Sequence, residues 1–399
     1  MDIMSHSQSV HLGTREVHEA ELISSLEQIK SEIEAWAVKS ELWHDTSFAT
    51  PFSFHNEAPR SHETLLLISE GPLGRIFGSD GAFADEYEKP FTELLGKLGL
   101  WFENENHYTM SLYPTDDKVR EDYLSLYRWQ WLKHLAEKKV YELHCEIFEY
   151  FGKYPGDLHR LHWREFEELL DSIFRNQGYY TELGPGRNDG GVDIRLYQHK
   201  GIPEVVTLVQ AKRYKDPIDL QPITSIFGLA TMERAKNAML ATTSYFEPKA
   251  RQWALSTEQN IDLPRVKLAD AFRIGGWCTE IGKNLYDYFT KGLSVPPALK
   301  DKTGPLAGKV VVAQGGYNCT KNFFAMVEAD FPHETILRPL GSEKVSGDGT
   351  AGSEVASETA RILWTQEARL LALKEKLGLW AERKYFKPWD GTPQYFNSD

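Results

Sequence analysis

Cysteine is scarce in this chain. Its 399 residues hold three, Cys145, Cys278 and Cys319, far apart and with no C-x-x-C pair. That spacing excludes a disulfide framework and a cysteine zinc centre, leaving three reduced thiols. Long apolar runs are missing too. The longest, such as Leu65–Ile68 and Val310–Ala313, are far too short to cross a bilayer. The first thirty residues lack the basic start and apolar stretch of a secretion signal. A soluble cytoplasmic protein with no membrane partner is expected. Net basic charge is absent as well: 45 Lys+Arg stand against 58 Asp+Glu, a net of −13. As a whole, then, the chain is not built as a general nucleic-acid binder.

The charge is unevenly spread. Leu161–Asp270 carries 14 basic and 15 acidic residues, a net of −1, and the flanks hold the remaining −12. The acidic flanks suit solubility, a protein partner or a homo-oligomer. Aromatic-rich stretches in the first 150 residues would serve as core or as a protein interface against that acidic background.

The length suits two or three domains. Residues 1–155 read as a mainly helical, aromatic-rich region of unknown role, with one buried strand at Thr64–Ser69 and helices over Glu16–Ser40, Glu88–Leu98 and Val119–Tyr150. The turn Tyr154-Pro155-Gly156-Asp157 marks a boundary. Residues 156–275 read as an α/β domain, a mixed sheet flanked by helices. Its elements are a helix over Trp163–Asn176, strands at Tyr179–Leu183, Val192–Tyr197 and Val205–Lys212, and a helix at Leu220–Lys236. A strand at Ala238–Thr242, a helix at Pro248–Leu255 and a strand at Val266–Leu268 follow. Residues 276–399 read as a small α+β region, with a strand at Lys309–Ala313, a flexible Gly/Ser/Glu-rich loop over Leu340–Ser357 and a helix over Thr359–Lys376. The pentapeptide Lys-Leu-Gly-Leu-Trp occurs at 97–101 and at 376–380, each copy closing a helical pattern.

Chemistry concentrates at the end of one strand. Val205–Lys212 is apolar for most of its length, as an internal strand should be. It then ends in Gln210 and Lys212, two apart and so on one face. A lysine at the end of a buried strand is costly without a partner or a task. Asp193, in Gly190-Gly191-Val192-Asp193-Ile194, can lie beside both if the two strands form a hairpin. An acid, an amide oxygen and an ammonium would then converge, a set suited to magnesium and an activated water beside a phosphate. The helix before the loop has an apolar stripe of Phe166, Leu169, Leu170, Ile173 and Phe174. Glu168 lies opposite this stripe, in solvent; Glu167 lies at its edge and is best placed to reach toward the ion.

Phe166-Glu167, then Gly190-Gly191-Val192-Asp193-Ile194, then Val209-Gln210-Ala211-Lys212-Arg213-Tyr214 resemble the catalytic domain of Mrr-type restriction endonucleases, within the PD-(D/E)XK nuclease superfamily. Ile226-Phe227-Gly228 and Thr242-Thr243-Ser244-Tyr245-Phe246 extend the resemblance, which covers about residues 160–272. It implies a restriction-endonuclease-like fold and a DNA endonuclease acting in restriction or antiphage defence. Asp193 would be the principal metal ligand, Lys212 the catalytic lysine and Glu167 the helix carboxylate. Gln210 stands where the wider superfamily has an acid, and Glu167 would restore the missing charge. Catalytic Glu167, Asp193, Gln210 and Lys212 thus include the metal ligands Asp193, Gln210 and Glu167. Mg2+ is the expected ion, with Mn2+ as substitute. Arg187, Arg213 and Lys215 are candidate DNA phosphate contacts, and Asp189 is a turn-capping acid. Two other readings stay open: a non-catalytic nucleic-acid-binding module of the same fold, and a repair or junction nuclease.

Overall fold

The structure, a computed structural model, describes residues 8–51, 53, 62–77, 84–106, 108–137, 144–186, 190–201, 204–260, 262–293, 295–299, 304–315, 319–347 and 350–397. The chain forms two compact units, Met1–Leu135 and Ala136–Asp399. No described helix is long and apolar enough to cross a membrane.

In the first unit, α1 (Gln8–Lys39), α2 (Pro72–Phe77), α3 (Ala84–Lys97) and α4 (Asp117–Glu137) accompany four strands, β1 (Thr46–Ala49), β2 (Leu65–Ser69), β3 (Leu100–Asn104) and β4 (Thr109–Pro114). The strands form one antiparallel sheet in the order β1-β2-β4-β3. Leu22, Leu26, Ile29, Ile33 and Ala37, at helical spacing on α1, pack with Leu65, Leu67, Phe91 and Leu112. The sequence reading foresaw β2 alone of these strands. The aromatic residues of β3 and β4 pair across the ladder, where Trp101 stacks on Tyr113 with ring centroids 4.6 Å apart.

The second unit begins with α5 (Cys145–Lys153) and a 3-10 turn (Pro155–Arg160). The single helix expected over Val119–Tyr150 is therefore two helices, α4 and α5, in the described residues. Next come α6 (Trp163–Asn176), β5 (Tyr180–Leu183), β6 (Ile194–Tyr197), β7 (Val205–Lys212), α7 (Leu220–Met232), β8 (Asn237–Thr242), α8 (Pro248–Ser256), β9 (Arg265–Ala269) and α9 (Ala271–Lys291). The sheet order is β5-β6-β7-β8-β9. β5, β6 and β7 are antiparallel neighbours, whereas β7, β8 and β9 run parallel. This is the expected mixed sheet with helices. Its inner strand β8, between β7 and β9, is buried along its whole length. Leu208, Leu240 and Val266 share a core with Ile223 and Ile226 of α7 and Ala250 and Ala254 of α8.

Beyond α9 lie strands, β10 (Val310–Gly315), β11 (Lys321–Asp330), β12 (Glu334–Gly347), β13 (Ala351–Ser357), β14 (Leu370–Glu375), β15 (Gly378–Ala381), β16 (Lys384–Pro388) and β17 (Gln394–Asn397). β10, β11, β12, β14, β15 and β16 close into a barrel, because β11 pairs with both β10 and β12 and β16 pairs with β10. Two expectations are corrected here. Leu340–Ser357 is a hairpin of β12 and β13, not a loop. Its glycines let the two backbones approach: a side chain on Gly352 would meet the Ser346 carbonyl at 2.1 Å. Thr359–Lys376 is not a helix. Its last residues form β14, where Leu371 pairs with Ile336 and Leu373 with Glu334. Ladder pairing with a strand far back in the chain overrides local helix preference. Among the described residues of this region, helix occurs at the end of α9 and in a 3-10 turn at Pro297–Leu299. The second Lys-Leu-Gly-Leu-Trp copy accordingly turns β14 into β15, while the first closes α3 with Gly99 at φ +70°.

Candidate active site

α6 starts with a capping box. His162 accepts from Arg164 N at 3.3 Å, and Glu165 Oε2 accepts from His162 N at 2.6 Å. This fixes the helix start, and so the side-chain positions one turn on. Phe166, Leu169, Leu170, Ile173 and Phe174 are buried as the stripe requires. Each such side chain contributes about 1.5–3 kcal/mol of transfer free energy, so the helix cannot rotate its acids freely. Glu167 is 5% exposed and sits on the buried side.

A carboxylate out of water needs compensation. Arg164, one turn earlier, supplies part of it. Its Nη1 lies 2.9 Å from Glu167 Oε2 and donates to the Gly184 carbonyl at 2.8 Å. Its Nε lies 3.5 Å from Glu168 Oε1, and the Glu168 side chain is only 16% exposed. Glu168 is thus half-buried, a correction to its expected place in solvent; the arginine holds it against the protein. Sequence reasoning overlooked Arg164. The available signal was the i,i+3 and i,i+4 spacing of Arg164 to two consecutive acids.

The hairpin of β6 and β7 pairs Ile194 with Val209, which sets Asp193 opposite Gln210. Asp193 is pinned on both sides of the ladder. Its N–H donates to the Val209 carbonyl at 2.9 Å, and its carbonyl accepts from Gly184 N at 2.7 Å. Its carboxylate Oδ2 accepts from Ala211 N at 2.6 Å. Gly184 therefore joins the helix acid to the strand acid, accepting from Arg164 on one side and donating to Asp193 on the other.

Gln210 is 7% exposed and donates from Nε2 to the Gly191 carbonyl at 2.9 Å. That bond fixes the amide and leaves Oε1 as its acceptor end. Gly191 has φ +90°, and a side chain there would begin 3.3 Å from Gln210 Nε2, so both conformation and space call for glycine. Lys212 closes β7, two residues beyond Gln210 and on the same face. It is half-buried and has no ion pair among the described residues. Its carbonyl accepts from Thr243 N at 3.2 Å, which joins the end of β7 to the end of β8.

The structure thus bonds Asp193 to the two neighbours of Gln210 on β7, sets Lys212 two residues further on and links Glu167 to Asp193 through Arg164 and Gly184. Two buried carboxylates and an amide oxygen are hard ligands, the donor chemistry that fits a divalent cation. No cluster of three or more His, Cys, Asp or Glu side chains suited to a metal occurs among the described residues; this set has two acids, its third donor being an amide.

The expected phosphate contacts fare differently. Arg187 lies outside the described residues, as does Asp189. Arg213 is exposed, yet its Nη1 donates to the His159 carbonyl at 3.1 Å, which ties β7 to the turn before α6. Lys215 is exposed on the segment after β7, where its carbonyl accepts from Ser244 Oγ at 3.1 Å.

Residues 158–274 match a family model, Mrr_cat, described as restriction endonuclease. Two solved structures are similar. One, MspJI restriction endonuclease in complex with a 27-mer oligonucleotide, is 16% identical over 36% of this chain and 36% of that one, with a TM-score of 0.26. The other, the DNA modification-dependent restriction endonuclease AspBHI, is 15% identical over 47% of this chain and 59% of that one, with a TM-score of 0.25. The match spans less than two thirds of either protein. No curated protein matches the chain. The segment 158–274 is similar to restriction endonucleases, and the family match supports a DNA nuclease role for it.

Proposed function

We propose that this protein is a metal-dependent DNA endonuclease of restriction or antiphage defence, hydrolysing phosphodiester bonds at the end of β7. The observation that carries the reading is Asp193, whose N–H and carboxylate bond to β7 on either side of Gln210, with Lys212 two residues along the same strand face.

Asp193, Gln210 through Oε1 and Glu167 would hold the ion. A bound divalent cation, Mg2+ with Mn2+ as substitute, would lower the pKa of a water and neutralise phosphate charge. The residues of the chain do the rest. The Ala211 N–H holds the Asp193 carboxylate in one rotamer. Arg164 holds Glu167 against the start of the loop. Lys212 orients the attacking water, takes its proton, or steadies charge on phosphorus as the P–O bond to the leaving oxygen breaks. Arg213 and Lys215, both exposed beside β7, contact flanking phosphates. The acidic first unit, with 23 Asp+Glu against 11 Lys+Arg over residues 1–135, then meets a protein partner or a second copy rather than DNA.

The test is cleavage of plasmid and phage DNA by the full chain with magnesium, with manganese and with chelator, alongside Asp193→Ala and Lys212→Ala. Metal-dependent cleavage lost in both variants supports the reading. Binding of DNA without cleavage, on methylated and unmethylated substrates alike, would favour a non-catalytic module instead. Strong preference for branched over plain duplex would favour a junction nuclease.

A further inference from the structure

The sheet has a second polar feature at its far edge. β9 is the outer strand, and beside it lies a cavity of about 780 Å3, within the size range of small-ligand sites. Glu167, Asp193, Gln210 and Lys212 take no part in its lining. Lys267 pairs with Met239, and Met239 with Val209. Lys267 therefore points to the sheet face opposite Gln210 and Lys212.

Three cations line this cavity, Arg251, Lys267 and Arg273. Lys267 is half-buried. Burial depresses its pKa, and the positive charges of Arg273 and Arg265 push the same way. Three acids share the lining, Asp270, Glu258 and Glu280. Asp270 caps α9 by accepting from Arg273 N at 3.0 Å and pairs with Arg251 at 2.9 Å. Glu258 and Glu280 are exposed. A lysine drawn out of water toward two arginines destabilises the empty protein, and an anion in the cavity would relieve it.

The adjoining wall is aromatic. Trp277 packs against Phe174 with ring centroids 5.9 Å apart, and the Arg273 guanidinium lies 5.7 Å over the Trp277 ring. Cations beside a flat apolar surface suit a ligand with an anionic end and a planar body.

We propose that this cavity binds the phosphate of a single nucleotide, with Lys267 and Arg273 on the phosphate and the Trp277–Phe174 wall against the base. The nucleotide is either a free nucleoside monophosphate or the phosphorylated terminal nucleotide of a strand. The inference is independent of catalysis at β7.

The test is isothermal titration of the full chain in chelator, which keeps phosphate from entering through a metal. The probes are deoxyadenosine monophosphate, inorganic phosphate, and a short single strand with and without its terminal phosphate. Saturable binding of the monophosphate, weaker by about tenfold or more in Lys267→Met as for a lost charge-assisted contact, supports the site. Lys267→Arg should keep most of the affinity and Asp193→Ala all of it. Binding of the phosphorylated strand alone, with the same dependence on Lys267, assigns the site to a strand end. Thermal melting of Lys267→Met should show unchanged or higher stability, so that lost binding is not lost folding. Failure of every probe to bind, or binding that Lys267→Met leaves unchanged, overturns the proposal.

Discussion

Arg164 and Glu167 form an ion pair at 2.9 Å in which the same guanidinium nitrogen also reaches the Gly184 carbonyl. The pair is structural and electrostatic at once, since it holds the helix acid beside the backbone of the loop leading to Asp193. Arg164→Met keeps the apolar stem and removes the charge. It leaves the Glu167 carboxylate short of a donor, a loss of about 1–3 kcal/mol. The expected outcome is a lowered melting temperature together with weakened metal dependence, read as a higher metal concentration for half-maximal cleavage. Arg164→Lys should recover stability better than activity, because an ammonium in place of Nη1 cannot also hold Glu168, which lies 3.5 Å from Arg164 Nε.

Asp193→Asn separates folding from chemistry. The amide oxygen can still accept from Ala211 N, now 2.6 Å from Oδ2, so the hairpin should stay folded. The charge that would hold the ion is gone. Cleavage should fall by about a hundredfold or more, the scale of losing one principal electrostatic group, with little change in melting temperature. Equal activity of the variant and the parent would remove Asp193 from the site.

Much of this site was legible in the sequence because its signals are local and periodic. The apolar run of Val205–Val209 ends in Gln210 and Lys212, and the Gly190-Gly191 pair precedes Asp193. The stripe on α6 gives Glu167 its side of the helix. Arg164 was not legible, since an arginine one turn before two acids is common on exposed helices, and only Gly184 makes this one distinctive. Lys267 reads as a surface charge until β9 is known to flank a cavity. The barrel was hidden for another reason. Its closure pairs Val311 with Pro388, a contact between distant segments, and its hairpin is rich in the glycine and serine that mark loops elsewhere.

The Gln210 Nε2 bond to the Gly191 carbonyl shows what the amide does structurally. Gln210→Glu turns a donor into a carboxylate facing a carbonyl oxygen. The variant should bind the ion more tightly, yet lose about 1–3 kcal/mol in its apo form from the unsatisfied contact. The introduced group keeps the hydrogen bond only when protonated, so its folded-state pKa is raised. The stabilising bond is then present at low pH and lost as pH rises through that folded pKa. Chemical denaturation of the metal-free variant across the acidic range checks the sign, and added metal should reverse the penalty.

His144 offers a pH test away from the site. It stands just before α5, with Nδ1 3.2 Å from Glu146 and Nε2 3.4 Å from Glu334 at the start of β12. Burial alone would lower its pKa, but the two carboxylates outweigh burial and raise it to about 9. The unfolded chain has the ordinary histidine value of about 6.5. The protonated ring therefore contributes stability that is fully present below the unfolded value and is lost as pH rises through about 9. Over that window stability should fall by at most about 1.4 kcal/mol per pH unit, the limit for one proton. His144→Gln removes the titration and leaves Glu334, 4% exposed, without its cation. Its melting temperature should drop at neutral pH, and the slope between the two values should disappear. A variant that keeps the slope of the parent would show that another group titrates there.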